Sequence, residues 1–385
     1  MTLVVETIGT REGIEALQGE WESLRGADPD RSPFVSCEWF RCCLEDTEGA
    51  EPMVLAVRSG SALLGVAPLA RRRVPGRWGT ARAIEFLRCR ETAHADFVVH
   101  PDHRDAVIAA VAGHLFDERP RTWDLLSLGP WPERSPNAVA VRRLLAARNA
   151  RWTERTASLV PVVRIDRDWE SFWGTRTYLF RKSRRGIQNR MRKLGTVEVE
   201  AVRADASGEG LRALHRVADR AWKREEGLAV TSREESKRFF ACLTDAAGRR
   251  GWLLLWVLRL DGTPIAVEYN LAEEGNVYAL RADFDQEYRS YSPGAYLEHH
   301  ILQTLFAEGY RAYHAGPGFD AYKLRWTEEV RRNVTLNVYS ARGPRNLLRW
   351  VVEGRLAPRL RRESTPAAGP TAEDALEDGA TERGR

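Results

Sequence analysis

Lysine is nearly missing from this chain of 385 residues: of 59 basic side chains, only Lys182, Lys193, Lys223, Lys237 and Lys323 are ammonium groups. The rest are arginines, which stay charged and present planar, forked donors. An excess of either sign is missing too. The 59 cations face 54 anions, a net charge of +5, and so mild a balance does not point to nucleic acid as a partner. Cysteine is scarce and odd in number, at five, with no CxxC pair. That pattern argues against a zinc site and against a disulfide framework, and it fits a reducing compartment. Long apolar runs are absent as well. The longest, residues 252–258, falls far short of the roughly 20 residues that span a bilayer. The opening MTLVVETIGTREG has no basic segment ahead of an apolar core, so it does not read as a signal peptide. The expectation is a cytoplasmic protein whose only membrane contact would be peripheral.

What is present is ordinary globular material, 43% hydrophobic and 29% charged, in a length that suits two domains. The clearest stretch follows Gly251. WLLLWVLRL reads as a buried strand, Asp261-Gly262 as a hairpin turn, and TPIAVEYNLA as the return strand. A polar turn at 273–276 leads to a third strand, NVYALRADF. Ser292 is then a candidate N-cap and Pro293 a good first helical residue. That helix carries Leu297, Ile301, Leu302, Leu305 and Phe306 on one face and stops at Gly309. YRAYHA is a further strand, Gly316-Pro317-Gly318 a tight loop, AYKLRWTEEV a short helical segment, and NVTLNVYS the strand that closes the unit. Helical patterns at about 207–225 and 233–247 and a strand near 197–202 precede it.

The first half repeats this plan in outline. MVLAVRSGSALLGVAPLA is a strand pair, DFVVHPDHRDAVIAAVAGHLF a strand leading into a helix, and WDLLSLGP a strand. The separation of Asp96 from Gly129 equals that of Asp283 from Gly316. No glycine falls between Asp96 and Ala112, so the first copy lacks a loop fit to cradle a phosphate. The expected units are 1–165, a degenerate first copy; 166–340, the catalytic copy; 341–362, a basic amphipathic segment; and 363–385, a Pro/Ala/Gly/Glu-rich disordered tail.

An anion site needs backbone N–H groups unobstructed by side chains, and a loop that enters a helix start supplies them along with the helix dipole. Arg289-Ser290-Tyr291-Ser292-Pro293-Gly294 sits at such a place. The meander, this loop and the string FDQEYRSYSPGAYLEHHILQTLFAEGYRAYHAGPGFDAYKLRW resemble the GNAT superfamily. Within it they resemble acetyltransferases of the CelD/BcsL type, named for cellulose biosynthesis and similar in turn to the tandem Fem transferases. The resemblance implies an α/β fold of two GNAT-like domains, each a mixed central sheet flanked by helices. It also implies acyl transfer, acetyl above all, from acyl-CoA to an amine or hydroxyl of a glycan or envelope-related acceptor. The Gln/Arg-x-x-Gly-x-Gly/Ala loop familiar in that superfamily is here reduced to one glycine, Gly294, preceded by proline.

The donor contacts implied are Arg289, Ser290, Tyr291, Ser292 and Gly294 for the pyrophosphate, and backbone N–H groups near Ala282 and Phe284 for the oxyanion. Glu268, a carboxylate inside an apolar strand, and Asp283, at a strand end, are candidate bases. Tyr322 or Tyr291 is a candidate acid. Lys323 would hold a phosphate or carboxylate, and His314 would titrate near neutrality beside the acceptor. No metal is expected. RKSRRGIQNRMRK, from Arg181 on, is a basic amphipathic helix open to an acidic acceptor, nucleic acid or anionic lipid. Two alternatives stay open: Fem-like aminoacyl transfer from charged tRNA, and a membrane-peripheral binding protein without chemistry.

Overall fold

The computed structural model describes residues 2–352 other than 29–30, 48, 76–78, 120, 207 and 343. The tail expected at 363–385, and the basic segment beyond residue 352, lie outside the described residues. The first half runs β1 (Val4–Ile8), α1 (Arg11–Ala16), α2 (Gln18–Gly26), α3 (Cys37–Cys43), β2 (Glu51–Ser59), β3 (Ala62–Val74), β4 (Ala81–Phe86) and β5 (Val98–Val99). It continues through α4 (Arg104–Gly113), β6 (Leu125–Pro132), α5 (Pro136–Ala147) and β7 (Arg151–Arg164). The second half begins with α6 (Trp169–Gly174), α7 (Tyr178–Arg192), β8 (Val197–Val202), α8 (Glu209–Arg220) and α9 (Glu234–Arg250). Then come β9 (Leu253–Leu260), β10 (Thr263–Glu273), β11 (Asn276–Phe284), α10 (Pro293–Ala307), β12 (Ala312–His314), α11 (Ala321–Leu324), β13 (Val330–Tyr339) and α12 (Pro344–Val351).

The local signals act where the sequence puts them. Asp261 and Gly262 both take positive φ, at 48° and 78°, the conformation a tight hairpin with the right-handed strand twist requires. Gly251 ends α9 in the left-handed region. Ser292 departs from expectation. It sits at φ 55° and its side chain makes no capping bond, so Pro293 alone marks the start of α10.

The strands form one continuous sheet, β1-β2-β3-β4-β6-β13-β7-β12-β11-β10-β9-β8, with β5 beside β3. Each half contributes an antiparallel meander whose last strand pairs in parallel with the strand after a helix: β4 with β6, and β11 with β12. The repeat is thus real in topology. The equal spacing of Asp96 and Asp283 is not part of it. Asp283 lies within β11, whereas Asp96 follows β4 by ten residues and is held by Ser135, Asn137 and the Phe97 N–H. β13 also departs from the plan. Expected to close the unit 166–340, it is hydrogen-bonded to β6 of the first half and to residues 151–161 of β7. The last residues of β7 instead pair with β12, so the two halves share their central strands.

One apolar cluster lies between the halves, joining α1–α3 to α8, α9 and one face of β9–β11. A second fills the other face of the second half, under α6, α7 and α10. Arg25–Glu273 (2.7 Å) and Arg233–Asp46 (2.8 Å) tie the halves together. So does a Cys42–Cys242 disulfide, Cα–Cα 5.5 Å. This bond runs against the expectation that disfavoured a disulfide framework: its partners are 200 residues apart, and the packing of α3 on α9 brings them together.

Candidate active site

The sheet opens where β11 and β12 part. Their parallel pairing covers three residues, ending at Tyr278 opposite His314. Two features of the backbone cause the divergence. β11 carries an extra residue at Leu280, where the register on β10 slips between Tyr269 and Asn270, and a bulge bends its strand. The chain beyond β12 follows β7 instead, with Ala315 N–H donating to Pro161 O and Gly318 N–H to Leu159 O. Gly316 makes the crossing possible. Its φ is 75°, and a Cβ there would stand 2.8 Å from Ala279 O.

Past that point no strand among the described residues pairs with the outer edge of β11. Asp285 N–H donates to Ile265 O at 2.8 Å, so antiparallel alternation turns the N–H groups of Ala282 and Phe284 away from β10, toward the opening. Residues 286–291 form a 3-10 turn held by Asp285, which accepts from Glu287 N–H and lies 3.1 Å from Arg220. Arg289 and Ser290 are exposed there. α10 follows at once, and the N–H groups of its first turn have no acceptor within the helix. Gly294 is not required for space, since a Cβ would meet only Phe284 Cδ1, at 3.5 Å.

Strand alternation sorts the remaining candidates onto two faces. Glu268 faces α10. It is 5% exposed, and its Oε1 accepts from Tyr313 Oη at 2.7 Å. Burial pushes its carboxyl up, against the opposing pull of Tyr313, Asn270 and the Lys323 charge. Tyr322 acts electrostatically on Tyr313, as do Glu268 and Glu298. Lys323 is buried, donates to Pro317 O at 3.1 Å and lies 3.3 Å from Asp320. Glu298 on α10 stands 3.5 Å from Arg184 of α7, whose guanidinium lies over the rings of Phe180 and Trp326.

Asp283 and His314 face the first half. Asp283 is ion-paired with Arg281 (2.7 Å) and Lys223 (2.8 Å), and Lys223 also donates to Ala282 O at 2.6 Å. Glu91, from the loop after β4, completes the cluster 3.8 Å from Arg281. Burial raises the Glu91 carboxyl and lowers the Lys223 ammonium. His314 stacks on Tyr278, which in turn packs near His94 and Phe34. Burial pushes His314 down to about 3. It therefore stays neutral near pH 7, which corrects the expectation that it titrates there.

The structure thus brings Glu268, Tyr322 and Lys323 to one face, places Asp283 and His314 on the other, and sets residues 282, 284 and 289–294 along the opening between them. Sequence reasoning missed Tyr313, Lys223, Arg281, Arg184 and Glu91. Tyr313 had a usable signal, because strand alternation sends it to the face opposite His314. Glu91 had none, since it reaches the site from a separate half. Among the described residues there is no cluster of three or more His, Cys, Asp or Glu fit to hold a metal ion.

Residues 181–324 match the family model of the acetyltransferase (GNAT) domain. The matched span runs from α7 through α11, so it holds the opening between β11 and β12, the start of α10 and every member of the two polar clusters named above except Glu91. No curated protein matches the chain by sequence. Among solved structures the chain is similar to FemX, at a TM-score of 0.58 and 13% identity over 91% of this chain and 100% of that one. It is similar also to L-PGS from Bacillus licheniformis, at 0.54 and 13% over 90% and 96%. A third likeness is to the C-terminal (DUF2156) domain of a candidate lysylphosphatidylglycerol synthetase from Agrobacterium fabrum, at 0.54 and 14% over 88% and 97%. At such identities the likeness is one of fold. The fold is α/β, a large mixed sheet flanked by helices, and the GNAT match over residues 181–324 supports a transferase.

Proposed function

We propose that the second half transfers an acyl group, acetyl in the first instance, from acyl-CoA to an amine or hydroxyl of a glycan or envelope-related acceptor. The observation that carries this reading is the opening between β11 and β12, which leads from the free edge at Ala282 and Phe284 to the first turn of α10. Arg289 and Ser290, together with the N–H groups of that turn, suit a pyrophosphate. The N–H groups of Ala282 and Phe284 suit an oxyanion forming at the acyl carbon. Glu268, raised by burial, is the proposed proton acceptor, with Tyr313 orienting it and Tyr322 in reserve as the acid. Asp283, saturated by two cations, acts by fixing Lys223 against the strand end. The two-unit boundary proposed is near residue 165, with β13 returned to the first unit's sheet.

Thermal unfolding of the full chain tests the donor. A ligand that binds only the native state at 100 times its Kd adds about 2.7 kcal/mol, so saturating acetyl-CoA should raise the Tm by several degrees. No rise with acetyl-CoA, and acceptor labelling only with aminoacyl-tRNA, would replace this reading with the Fem-like one. No response to either would leave a binding protein without chemistry.

A further inference from the structure

We propose that α7 docks this protein on an anionic lipid bilayer. The proposal is independent of the chemistry above. α7 buries Phe180, Arg184, Ile187 and Met191 on one side. At helical spacing, the opposite side presents Tyr178, Lys182, Arg185, Asn189, Arg192 and Lys193, all exposed. Over its 15 residues, about 22 Å of helix, there is no acidic side chain. Among the described residues, Lys182, Arg185, Arg190, Arg192 and Lys193 take part in no ion pair, although arginines elsewhere on this protein are extensively paired. A cationic stripe that folding leaves uncompensated is complementary to an anionic surface.

The second observation selects a bilayer over a dissolved polyanion. Tyr178 and Leu179, at the start of the same helix, are 66% and 74% exposed. They stand free of the aromatic cluster that Phe180 joins below them. A cavity of about 300 Å³ opens beside Leu179, between the first turn of α7 and Leu324, Arg325 and Glu328. Apolar side chains at one end of a cationic face lose water when they enter the boundary between headgroups and acyl chains. A phosphate backbone would recover nothing from Leu179. In this orientation α7 lies flat on the membrane. The 286–291 turn packs against α7, which holds the opening near the lipid surface, where an envelope precursor would be met.

Co-sedimentation of the full chain with phosphatidylcholine vesicles, with and without phosphatidylglycerol, tests the proposal. The expected result is binding to the mixed vesicles only. It should fall about a hundredfold or more in the triple variant Lys182→Glu/Arg185→Glu/Arg192→Glu, since each such cation contributes a factor of about five at an anionic surface. Leu179→Asp should also weaken it. All four positions are exposed, so the Tm and the circular dichroism spectrum of each variant should match those of the parent. Equal binding to both vesicle types would overturn the proposal. So would vesicle binding that survives the triple variant and disappears on truncation after Ser340, or binding of a tRNA pool that the triple variant loses while vesicles are ignored.

Discussion

Replacing Glu268 by glutamine should make the protein more stable at high pH while it loses activity. The side chain is buried on the α10 face with a single strong donor, Tyr313 Oη at 2.7 Å. Burial raises its pKa in the folded chain, whereas in the unfolded chain it returns to about 4.3. Between those two values the folded protein holds a proton that the unfolded chain has released. This contribution to stability is therefore complete below about pH 4.3 and is lost as pH rises through the folded value, by about 1.4 kcal/mol for each unit that separates the two. Glutamine keeps an acceptor for Tyr313 and has no proton to lose. At acid pH the variant should thus match the parent to within about 1 kcal/mol. As pH rises it should pull ahead, because only the parent must ionise a buried carboxyl. Urea unfolding of both proteins at several pH values reads the difference, provided the m-values agree. If Glu268 takes up the proton, turnover in the variant should fall about a hundredfold or more. A stability gap constant in pH would refute the burial argument, and full activity would refute the assignment.

Three further outcomes follow from the other groups. Asp283→Asn should destabilise by about 3 kcal/mol, since among the described residues it leaves Arg281 and Lys223 with Glu91 as the remaining nearby anion; a loss within error would show that water already compensates the cluster. Cys242→Ser, or reduction, should lower the Tm in keeping with a loop of 200 residues whose closure is worth up to about 5 kcal/mol in the chain-entropy treatment; no change would mean that the bond does not form. His314→Asn should leave the pH dependence of turnover unmoved between about pH 5.5 and 8.5, because burial keeps that imidazole neutral throughout; disappearance of a limb near 6.5 would contradict it.

Much of the second half was legible because its signals are local. Asp261-Gly262 dictates a hairpin, Pro293 a helix start, Gly309 a helix end, and each lies where its chemistry requires. The face of Glu268 was readable too, from the period of two along β10. That of Asp283 was not, because the extra residue at Leu280 shifts the alternation along β11 and moves Asp283 to the opposite face. What could not be read was anything decided by contacts distant in sequence. β13 carries the same apolar alternation whether it closes the second unit or crosses to β6, and only the vacancy beside β6 decides between them. Cys42 and Cys242 carry no spacing signal, and Glu91 looks like one more surface acid between Arg90 and Thr92. Ser292 misled because Ser-Pro usually caps a helix through the hydroxyl, whereas here the backbone turns through the left-handed region instead.

The central claim, that acyl-CoA lies in the opening between β11 and β12 with its phosphates at α10, is tested most directly by amide hydrogen exchange with and without acetyl-CoA. The account predicts added protection confined to peptides covering 280–296 and 314–319. No change there, with protection elsewhere or nowhere at saturating ligand, would contradict it.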